Sequence, residues 1–571
     1  MKREVSAHMN CSLSEVPFSR YGSYLSFLQC EKDKGCGIGL YLRVNNVNRT
    51  GKREAMRLEV LVDGVSVPFE TAMSSTVLEL KAGERCVRLC ITDVERDTVR
   101  VYGRGAGLRL RVVPGVGTVA QPVGPQRWAV NCFANVCRFM VDVLRGDLRA
   151  DCPWAPRGAP PITLDLLPGN DGILDAAVDR YESTWVERAR PMFSQCVGEV
   201  GRDWKRWLAI QPTVGPGFRE ARELAAYTNW ESVIRAGGLL KRPGMLMSKV
   251  WMDNVWSWDH CFNALALCYK APEQAFDQFM VMFDRQDEFG ALPDAINPGH
   301  EHFNYSKPPV HGWALRFMMD RSPGFFDKVR LKEVYAPLAA WTDWWLTHRR
   351  MPGEELPYYL HGNDSGWDNS TIFDAGAPLV SPDLASFLAI QCDVVGEIAA
   401  RLGKAKDARR WRGQAERLVA SLLSELWKDD GFVGRRSSDG FEVRCDSLVP
   451  LMPVVLGRRL PVVVADTLVA GIKKHLTKWG LATELTGSPQ YESDGYWRGP
   501  IWAPSTMLIV DGLAAQGEKA LADEIAKRFC RLCVKSGFAE NFDARSGAPL
   551  RDTAYTWTAS VFLVLAHECR K

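Results

Sequence analysis

The stretch HGNDSGWDNST, residues 361–371, cannot run as a regular helix or a regular strand. Its glycine, asparagine and serine residues favour turns, because glycine accepts positive φ and short polar side chains bond to nearby backbone amides. Asp364 and Asp368 bracket Trp367, and an exposed indole gains little unless a flat, partly apolar ligand covers it. The aspartates could also serve as turn formers or helix caps. The stretch therefore predicts a loop between larger elements and a candidate binding site.

On both sides of this loop, from about residue 183 onward, apolar residues recur at helical spacing, as in SPDLASFLAIQCDVVGEIAARLG. The pattern predicts about ten or more helices, joined by loops rich in Gly, Pro, Trp and Asp. No fixed repeat length is visible, which argues against an open solenoid. We therefore predict a mainly α protein built on a closed toroid of helical hairpins. Loops far apart in sequence would converge in one central pit of the toroid.

The pattern before the helices is different. Residues 37–113 show short apolar alternations broken by turns, as in MRLEVLVDG, which predicts the antiparallel strands of a β-sandwich. We expect a helical insertion at residues 127–146, then a Pro-rich stretch and a further strand in ITLDLL. The predicted domains are a β-sandwich with a helical insertion and linker in residues 1–183, and a helical catalytic domain in residues 184–571.

Composition narrows the class of protein. A chain of 571 residues exceeds one compact core, which supports two domains. Lys and Arg number 71 against 68 Asp and Glu, a formal charge of +3, so nothing overall favours nucleic acid or an anionic membrane as a partner. The start MKREVSAHMN lacks a signal-peptide apolar core, and no run reaches the ~18 apolar residues of a membrane span. The 16 cysteines are scattered as reduced thiols are, so we expect a cytoplasmic protein.

Two short spacings suggest metal ligands only weakly. Cys530 and Cys533 lie three residues apart in a helical pattern, and His300 and His302 lie in HEHF. Structural zinc requires about four ligands, and neither pair has a second pair nearby. We therefore predict neither a metal ion nor a cofactor.

Two loops upstream of residues 361–371 combine aromatic and acidic residues. WMDNVWSWDH, residues 251–260, places three tryptophans and two aspartates before a helix; Asp259 could cap that helix, and the tryptophans could belong to the core. Sugar recognition fits the combination better, because sugar rings stack on aromatics while their hydroxyls bind carboxylates. The long loop of residues 290–312 adds Asp294 and Lys307, and loops of this length are commonly functional.

Two downstream loops complete the candidate site. YESDGYWRGPIWAP, residues 491–504, contains Arg498 between two tryptophans, which suits a sugar-binding wall or a structural cation–π contact. AENFDARSG, residues 539–547, places Glu540 just after a helix. The negative end of that helix dipole would raise the pKa of the carboxyl, which suits a residue that takes a proton.

These segments resemble glycoside hydrolases. SGWDNS resembles the acid-bearing segment of the trehalases and of glycoside hydrolase family 63, and ENFD resembles their base-bearing segment. WSWDH, GALPD followed by SKPP, and YWRGPIW are similar to the family 63 pattern and occur in the same order over residues 251–555. The resemblance implies an (α/α)6 barrel preceded by a β-sandwich, and hydrolysis of α-glucosidic bonds with inversion. Residues 371–373, TIF, replace an arginine-bearing trehalase segment, which counts against trehalose itself.

The resemblance implies a role for each matching residue. Asp368 takes the place of the general acid and Glu540 that of the general base. Inversion requires a protonated acid and an ionised base, with about 6.5–9.5 Å between the carboxyl groups to hold a water. We expect Trp367 to keep Asp368 protonated through low local polarity. The predicted substrate-binding residues are Trp258, Asp259, Asp294, Lys307, Asp364, Trp367, Asn369, Trp497, Arg498 and Trp502.

Three functions remain open. The first is an inverting α-glucosidase that acts on a small glucoside or oligosaccharide. The second is a hydrolase of glucosylglycerate, mannosylglycerate or a related solute, which requires a cation near the aglycone, with Arg498 or Lys307 as candidates. The third is a glycan-binding protein without catalysis, which the presence of both acids disfavours.

Overall fold

The structure is a computed structural model that describes residues 9, 11–32, 37–45, 51–154, 158–428 and 430–569. Of the first ten residues, in which no signal peptide is expected, all but residue 9 lie outside these ranges. The strands before residue 182 form two sheets, which we call the β-region. They are β1 (Phe18–Ser19), β2 (Leu25–Cys30), β3 (Gly39–Val44), β4 (Glu54–Val62), β5 (Val65–Val67), β6 (Glu70–Met73), β7 (Leu78–Ala82), β8 (Arg85–Thr92), β9 (Thr98–Arg104), β10 (Gly107–Val112), β11 (Val119–Gly124), β12 (Arg127–Cys132), β13 (Cys137–Arg145), β14 (Asp147–Asp151), β15 (Ile162–Leu167) and β16 (Ile173–Tyr181).

Both sheets are antiparallel. One has the order β1-β2-β3-β4-β10-β15-β14, with β5 paired to β4, and the other has the order β11-β12-β13-β16-β9-β8-β7-β6. Alternate residues such as Leu58 and Val60 in one sheet and Val87 and Leu89 in the other are buried in a shared core. This is the inside–outside alternation that the sequence carries. The predicted N-terminal antiparallel β-region is confirmed.

The predicted helical insertion at residues 127–146 is wrong. The segment forms β12, a short 3-10 turn at Phe133–Asn135 and β13, and Val130 pairs with Phe139 across the hairpin. Val130, Phe139 and Val141 are all buried, whereas the residues on either side of Val130 are only partly buried. Burial of every second residue and β-branched side chains favour strands. The sequence predicted a helix because its closely spaced apolar residues also fit helical spacing.

The helices follow the β-region. The first, α1, packs against β8 and β9. Strand β16 ends at Tyr181 and α1 begins at Phe193, and a domain boundary at residues 183/184 stays a prediction. The helices are α1 (Phe193–Ile210), α2 (Arg219–Ser232), α3 (Asp259–Leu267), α4 (Pro272–Met280), α5 (His311–Arg321), α6 (Lys328–His348), α7 (Gly362–Ser365), α8 (Pro382–Arg401), α9 (Ala405–Ser421), α10 (Val462–His475), α11 (Ala503–Gln516), α12 (Lys519–Ser536) and α13 (Thr556–Glu568).

Six helical segments make a closed ring of contacts. In order around the ring they are α3, α5, α8, the 3-10 segment Val449–Arg459, α11 and α13, and α13 contacts α3 again. Each ring member also contacts at least one helix of a second set outside the ring: α2, α4, α6, α9, α10 or α12. Apart from the four-residue α7, ring and outer helices alternate along the chain from α2 to α13. The loops that enter the ring helices therefore all begin at outer helices.

Two further expectations concern the chain as a whole. Among the described helices, none combines the length and the apolar character needed to cross a bilayer. The described cysteines are all free thiols, and both Cys530 and Cys533 are buried on α12.

Candidate active site

Five loops that lead into ring helices meet at one place. They precede α3, α5, α8, α11 and α13, and they carry the residues that the sequence singled out. Lys307, before α5, lies 3.8 Å from Asp368 before α8, and Trp367 packs on Trp497 before α11. Helix N-termini point backbone N–H groups and the positive end of the helix dipole at this region, which favours carboxylates there.

Lys307 is the cation at the centre of the carboxylate cluster. Its Nζ lies 3.4 Å from Asp294 Oδ1 and 3.8 Å from Asp368 Oδ1, and it donates a hydrogen bond to the Asn363 carbonyl at 2.8 Å. Burial alone would lower the pKa of Lys307, but Asp368, Asp294 and Asp259 outweigh that effect and raise it. Lys307 is therefore charged, and its charge is already paired with the carboxylates of the site.

Asp259, the first residue of α3, is buried beside this cluster. Burial raises the pKa of Asp259 to about 7; the Lys307 cation opposes that shift, while Asp294 and Asp368 add to it. Burial likewise raises the pKa of Asp294, again against Lys307. Acids crowded around one cation compete for it, so not all of them hold a full negative charge at neutral pH.

Glu540, in the loop that precedes α13, is buried, with 1% of its surface exposed. Its backbone N–H donates to the Asp552 carbonyl at 2.7 Å, and the Asp552 N–H donates to Glu540 Oε2 at 3.4 Å. Burial raises the pKa of Glu540 to about 8, and the Asp552 carboxylate adds to the shift. A raised pKa was expected from the helix dipole, but its main cause is loss of solvent.

Two tyrosines lie within electrostatic reach of these acids. The pKa of the Tyr496 hydroxyl is raised well above its usual value by burial and then by Asp368, Glu540 and Asp259. Tyr555 is buried, and its hydroxyl lies 3.5 Å from Asp259 Oδ1. Because Asp368 and Glu540 both act on the Tyr496 phenol, they belong to one electrostatic environment. Sequence reasoning missed both tyrosines, although Tyr496 lies next to the predicted Trp497.

Tyr496 also has an unusual backbone. Its φ is +62°, in the left-handed region that residues other than glycine seldom adopt. Conformations of this kind cost about 1–3 kcal/mol and concentrate at functional sites. Tyr496 therefore carries backbone strain next to the predicted Trp497.

The burial of the two carboxyl groups differs from the prediction. The Asp368 side chain is 26% exposed, whereas Glu540 is almost fully enclosed. We expected Trp367 to shield the acid and keep it protonated. The aromatic wall lies beneath the loop instead, and the enclosed carboxyl is the expected base.

The predicted tryptophans form one buried cluster. Trp497 and Trp502 lie parallel with ring centroids 4.0 Å apart, and Trp367 and Trp258 pack on Trp497 at 4.7 and 6.1 Å. Each of the four exposes at most 2% of its surface. They support the floor of the site, and their direct contact with a sugar stays a prediction. Trp251, 41% exposed, is the accessible indole of residues 251–260.

The floor fits closely under the loop of residues 361–371. Gly366 has φ +72°, and a Cβ there would come within 2.5 Å of the Trp258 ring. Asp364 is buried, with Oδ1 accepting from the Ser306 N–H at 2.9 Å and Oδ2 from the Leu360 N–H at 2.9 Å. Its supporting role therefore consists of holding two loops together.

Asn369 connects this loop to residues 491–504. Its side-chain amide donates to the Gly495 carbonyl at 3.0 Å, and its oxygen accepts from the Trp497 N–H at 2.9 Å. Arg498 donates from Nε to the Asn369 carbonyl at 2.8 Å and forms an ion pair with Asp374. Arg498 therefore fastens the two loops and does not stack on the adjacent indoles as the cation–π alternative requires.

One buried grouping among the described residues has metal-ligand chemistry. His260, Cys261 and His311 place ligand atoms within 4.8 Å of one another. The Trp341 indole N–H donates to His311 Nδ1 at 3.3 Å, and His260 Nδ1 lies 3.1 Å from the Trp256 carbonyl. These contacts are those of neutral imidazoles in a core, and burial lowers the pKa of His260 to about 4.

Residues 252–558 match the family described as the mannosylglycerate hydrolase MGH1-like glycoside hydrolase domain. The mannosylglycerate hydrolase of Rubrobacter radiotolerans is 25% identical over 396 residues, which cover 54% of this chain and 89% of the relative.

Solved structures extend the likeness to the fold. The crystal structure of a GH63 mannosylglycerate hydrolase from Thermus thermophilus in complex with Tris has a TM-score of 0.53 and 18% identity, and it covers 60% of this chain and 99% of that one. A bacterial glucoamylase complexed with acarbose has a TM-score of 0.66 at 10% identity, over 100% of this chain and 96% of that one. With more than half of its length matched, this chain belongs to the mannosylglycerate hydrolase MGH1-like family and is a glycoside hydrolase of the family 63 type.

Proposed function

We propose that this protein hydrolyses the glycosidic bond between a sugar and a small carboxylate-bearing aglycone of the glycerate class. The observation that carries the proposal is the match of the site-bearing residues 252–558 to the mannosylglycerate hydrolase MGH1-like domain. The relatives support this hypothesis better than the α-glucosidase hypothesis, because they are named as mannosylglycerate hydrolases. The chemistry of a sugar glycoside is common to both hypotheses, and the aglycone distinguishes them.

We assign the general acid to Asp368 and the general base to Glu540. Asp368 is 26% exposed and so accessible to a leaving-group oxygen, and Lys307 Nζ lies 3.8 Å from its Oδ1. Glu540 is enclosed, and a carboxylate with a raised pKa is a stronger base once it is ionised. Asp368 and Glu540 lie on separate loops, and both act electrostatically on the Tyr496 phenol, which supports a common site for the acid and the base. Inversion of the anomeric carbon is the expected outcome.

We also propose that the ring of helices is an (α/α)6 barrel. Six ring members and six outer helices alternating along the chain support it, as does the likeness to the glucoamylase fold. The entries into the ring helices would then form the pit in which the five loops meet. This architecture explains why the site residues are spread over almost 300 positions of sequence.

A carboxylate aglycone requires a cation, and Arg551 is the best-supported candidate. Lys307 is enclosed by acids, and Arg498 is paired with Asp374, so both are engaged. The Arg551 guanidinium lies 5.4 Å from the Tyr496 ring centroid and within electrostatic reach of Glu540, and its side chain is 37% exposed. Its partner Asp494 is 62% exposed, so a ligand carboxylate can compete with Asp494 for the cation.

The experiment is a hydrolysis panel of mannosylglycerate, glucosylglycerate, trehalose and maltose, with the first-formed anomer read by NMR. We expect release of sugar from a glyceryl glycoside, with inversion, and little from the two disaccharides. Asp368→Asn should reduce kcat by about 10²–10⁴-fold, the usual contribution of a general acid. Asp466→Asn, at an exposed position on α10, is the matched control. Turnover of maltose alone would favour the α-glucosidase hypothesis, and binding without turnover by the wild type would favour a glycan-binding protein.

A further inference from the structure

Two arginines of the β-region donate hydrogen bonds to one loop of the helical part. This loop, residues 249–253, precedes α3. Arg43, on β3, donates to the carbonyls of Lys249 at 2.6 Å and Val250 at 2.7 Å. Arg53, immediately before β4, donates to both carboxylate oxygens of Asp253, at 2.7 and 2.6 Å, and to the Trp251 carbonyl at 2.8 Å.

Hydrogen bonds link this loop to Glu540, the carboxylate that we assign as the base. The Trp251 N–H donates to Asp552 Oδ2 at 3.3 Å. Asp552 and Glu540 are joined in both directions, by the Asp552 N–H to Glu540 Oε2 at 3.4 Å and by the Glu540 N–H to the Asp552 carbonyl at 2.7 Å. A continuous set of hydrogen bonds therefore runs from Arg53 to Glu540, and it carries the exposed Trp251 indole on the way.

The contact between Arg53 and Asp253 is built as a rigid one. Asp253 is 1% exposed, and both of its oxygens are held by one guanidinium in the fork geometry that fixes direction as well as distance. A lysine would keep the charge but could not bind both oxygens and the carbonyl in the same way. Arg43 and Arg53 lie outside residues 252–558, so these two donors are not part of the region that matches the family.

From this arrangement we infer that Arg53 is a positioning residue for the reaction, through which the β-region holds the Trp251 loop and the Glu540–Asp552 pair in their working geometry. The inference rests on the proposed function, in which Glu540 is the base. Loss of Arg53 frees the loop and lets Asp552 and Glu540 move relative to a bound water. A displacement of about 1 Å at such a group can cost 10²-fold in rate.

The test compares Arg53→Ala and Arg53→Lys with a matched control, Arg109→Ala. Arg109 forms an equally bidentate pair with Asp165 inside the β-region, at 2.6 and 2.7 Å, on strands β10 and β15. We expect Arg53→Ala to lower kcat about 10–100-fold with KM changed less than about threefold, and Arg53→Lys to recover part of the loss. Arg109→Ala should retain the wild-type kcat even where it lowers the Tm.

Hydrogen–deuterium exchange provides a readout that needs no substrate. In Arg53→Ala, and to a smaller extent in Arg53→Lys, backbone amides of residues 249–253 and 538–555 should exchange faster; in Arg109→Ala they should not. If Arg53→Ala is unfolded, Arg53→Lys and Asp253→Asn decide the question by the same two measurements. A folded Arg53 variant with unchanged exchange in residues 538–555 and unchanged kcat overturns the inference. A wild-type protein inactive on every glycoside overturns the proposed function, whereas the exchange result still decides the positioning role.

Discussion

At the scale of one residue, Glu540 faces two opposed demands. Its enclosure favours the neutral carboxyl, and a general base must be ionised. Since burial and Asp552 raise its pKa to about 8, kcat/KM for the free enzyme should rise with pH until about pH 8. The measurement is a pH–rate profile on the glycoside that the panel identifies, with buffers of constant ionic strength. An acidic limb near pH 4–5 would contradict the raised pKa.

The same residue makes stability depend on pH. The folded state raises the pKa of Glu540 from 4.5 to about 8, so it binds this proton more tightly than the unfolded chain does. That stabilisation is complete below about pH 4.5 and is lost as pH rises through about 8. At pH 8.5 the free energy of unfolding of Glu540→Gln should therefore exceed that of the wild type by about 1–3 kcal/mol, and at pH 4 the two should differ little; denaturant unfolding measures both. Glu518→Gln, at an exposed position, should show no such dependence.

Residue-level chemistry was only partly predictable from sequence. Asp368, Lys307 and Asp259 stood out because acids and cations beside tryptophans and glycines have few local explanations, and the structure brings them together. Tyr496 and Asp552 did not stand out, because their effects arise from interactions that only the folded chain makes, those of Tyr496 with Asp368 and Glu540 and those of Asp552 with Trp251 and Glu540. Burial was assigned to the wrong carboxyl for the same reason: solvent exposure is a property of packing, which a loop sequence does not carry.

At the scale of an element, the loop of residues 361–371 depends on one missing side chain. Gly366→Ala would place a Cβ 2.5 Å from the Trp258 ring and would strain a residue at φ +72°. We expect a loss of about 2–4 kcal/mol in unfolding free energy, together with reduced kcat, because the loop must move away from its floor. Gly353→Ala is the control, since φ is +83° there and no atom lies within 4 Å of the added Cβ. It should cost only about 1 kcal/mol, the strain of the backbone alone. Equal losses in the two variants would mean that contact with Trp258 is unimportant.

Helices and strands were predicted well where a regular apolar pattern extends over a long segment, and poorly where the segment is short. The ring helices α3, α8, α11 and α13 carry apolar residues at consistent helical spacing, and the antiparallel strands before residue 113 alternate cleanly. The hairpin of β12 and β13 was misjudged because its two short strands, joined by the turn at Phe133–Asn135, bring apolar residues to helical intervals by coincidence. Only pairing between the strands resolves that ambiguity.

At the scale of the whole molecule, the β-region and the helical part share buried polar contacts. Lys249, fully buried, donates from Nζ to Ser19 Oγ at 2.9 Å and to the Ser23 carbonyl at 2.8 Å. Asp97 accepts from Arg235 at 2.9 Å and from Arg180 at 3.3 Å, one from each part. Separating the two parts would leave these groups without partners in an apolar surface, which is costly.

The intact protein should therefore unfold in one calorimetric transition. Lys249→Ala should lower the Tm of that single transition. We expect the free energy of unfolding to fall by about 2–4 kcal/mol, because the buried groups that Lys249 contacts lose their hydrogen-bond donor. Lys473→Ala, at an exposed position on α10, should leave the Tm unchanged. Two well-separated transitions in the wild type would show that the parts are thermodynamically independent.

The closed ring has a consequence for synthesis on the ribosome. Because α13 lies between α11 and α3, the ring has a gap until residues 556–568 have left the exit tunnel. Until then, the apolar flank of α3, made early in translation, lacks its last neighbour. We expect chaperones that bind hydrophobic segments to bind a nascent chain with that flank uncovered. We also expect activity to arise only once α13 has packed between α11 and α3.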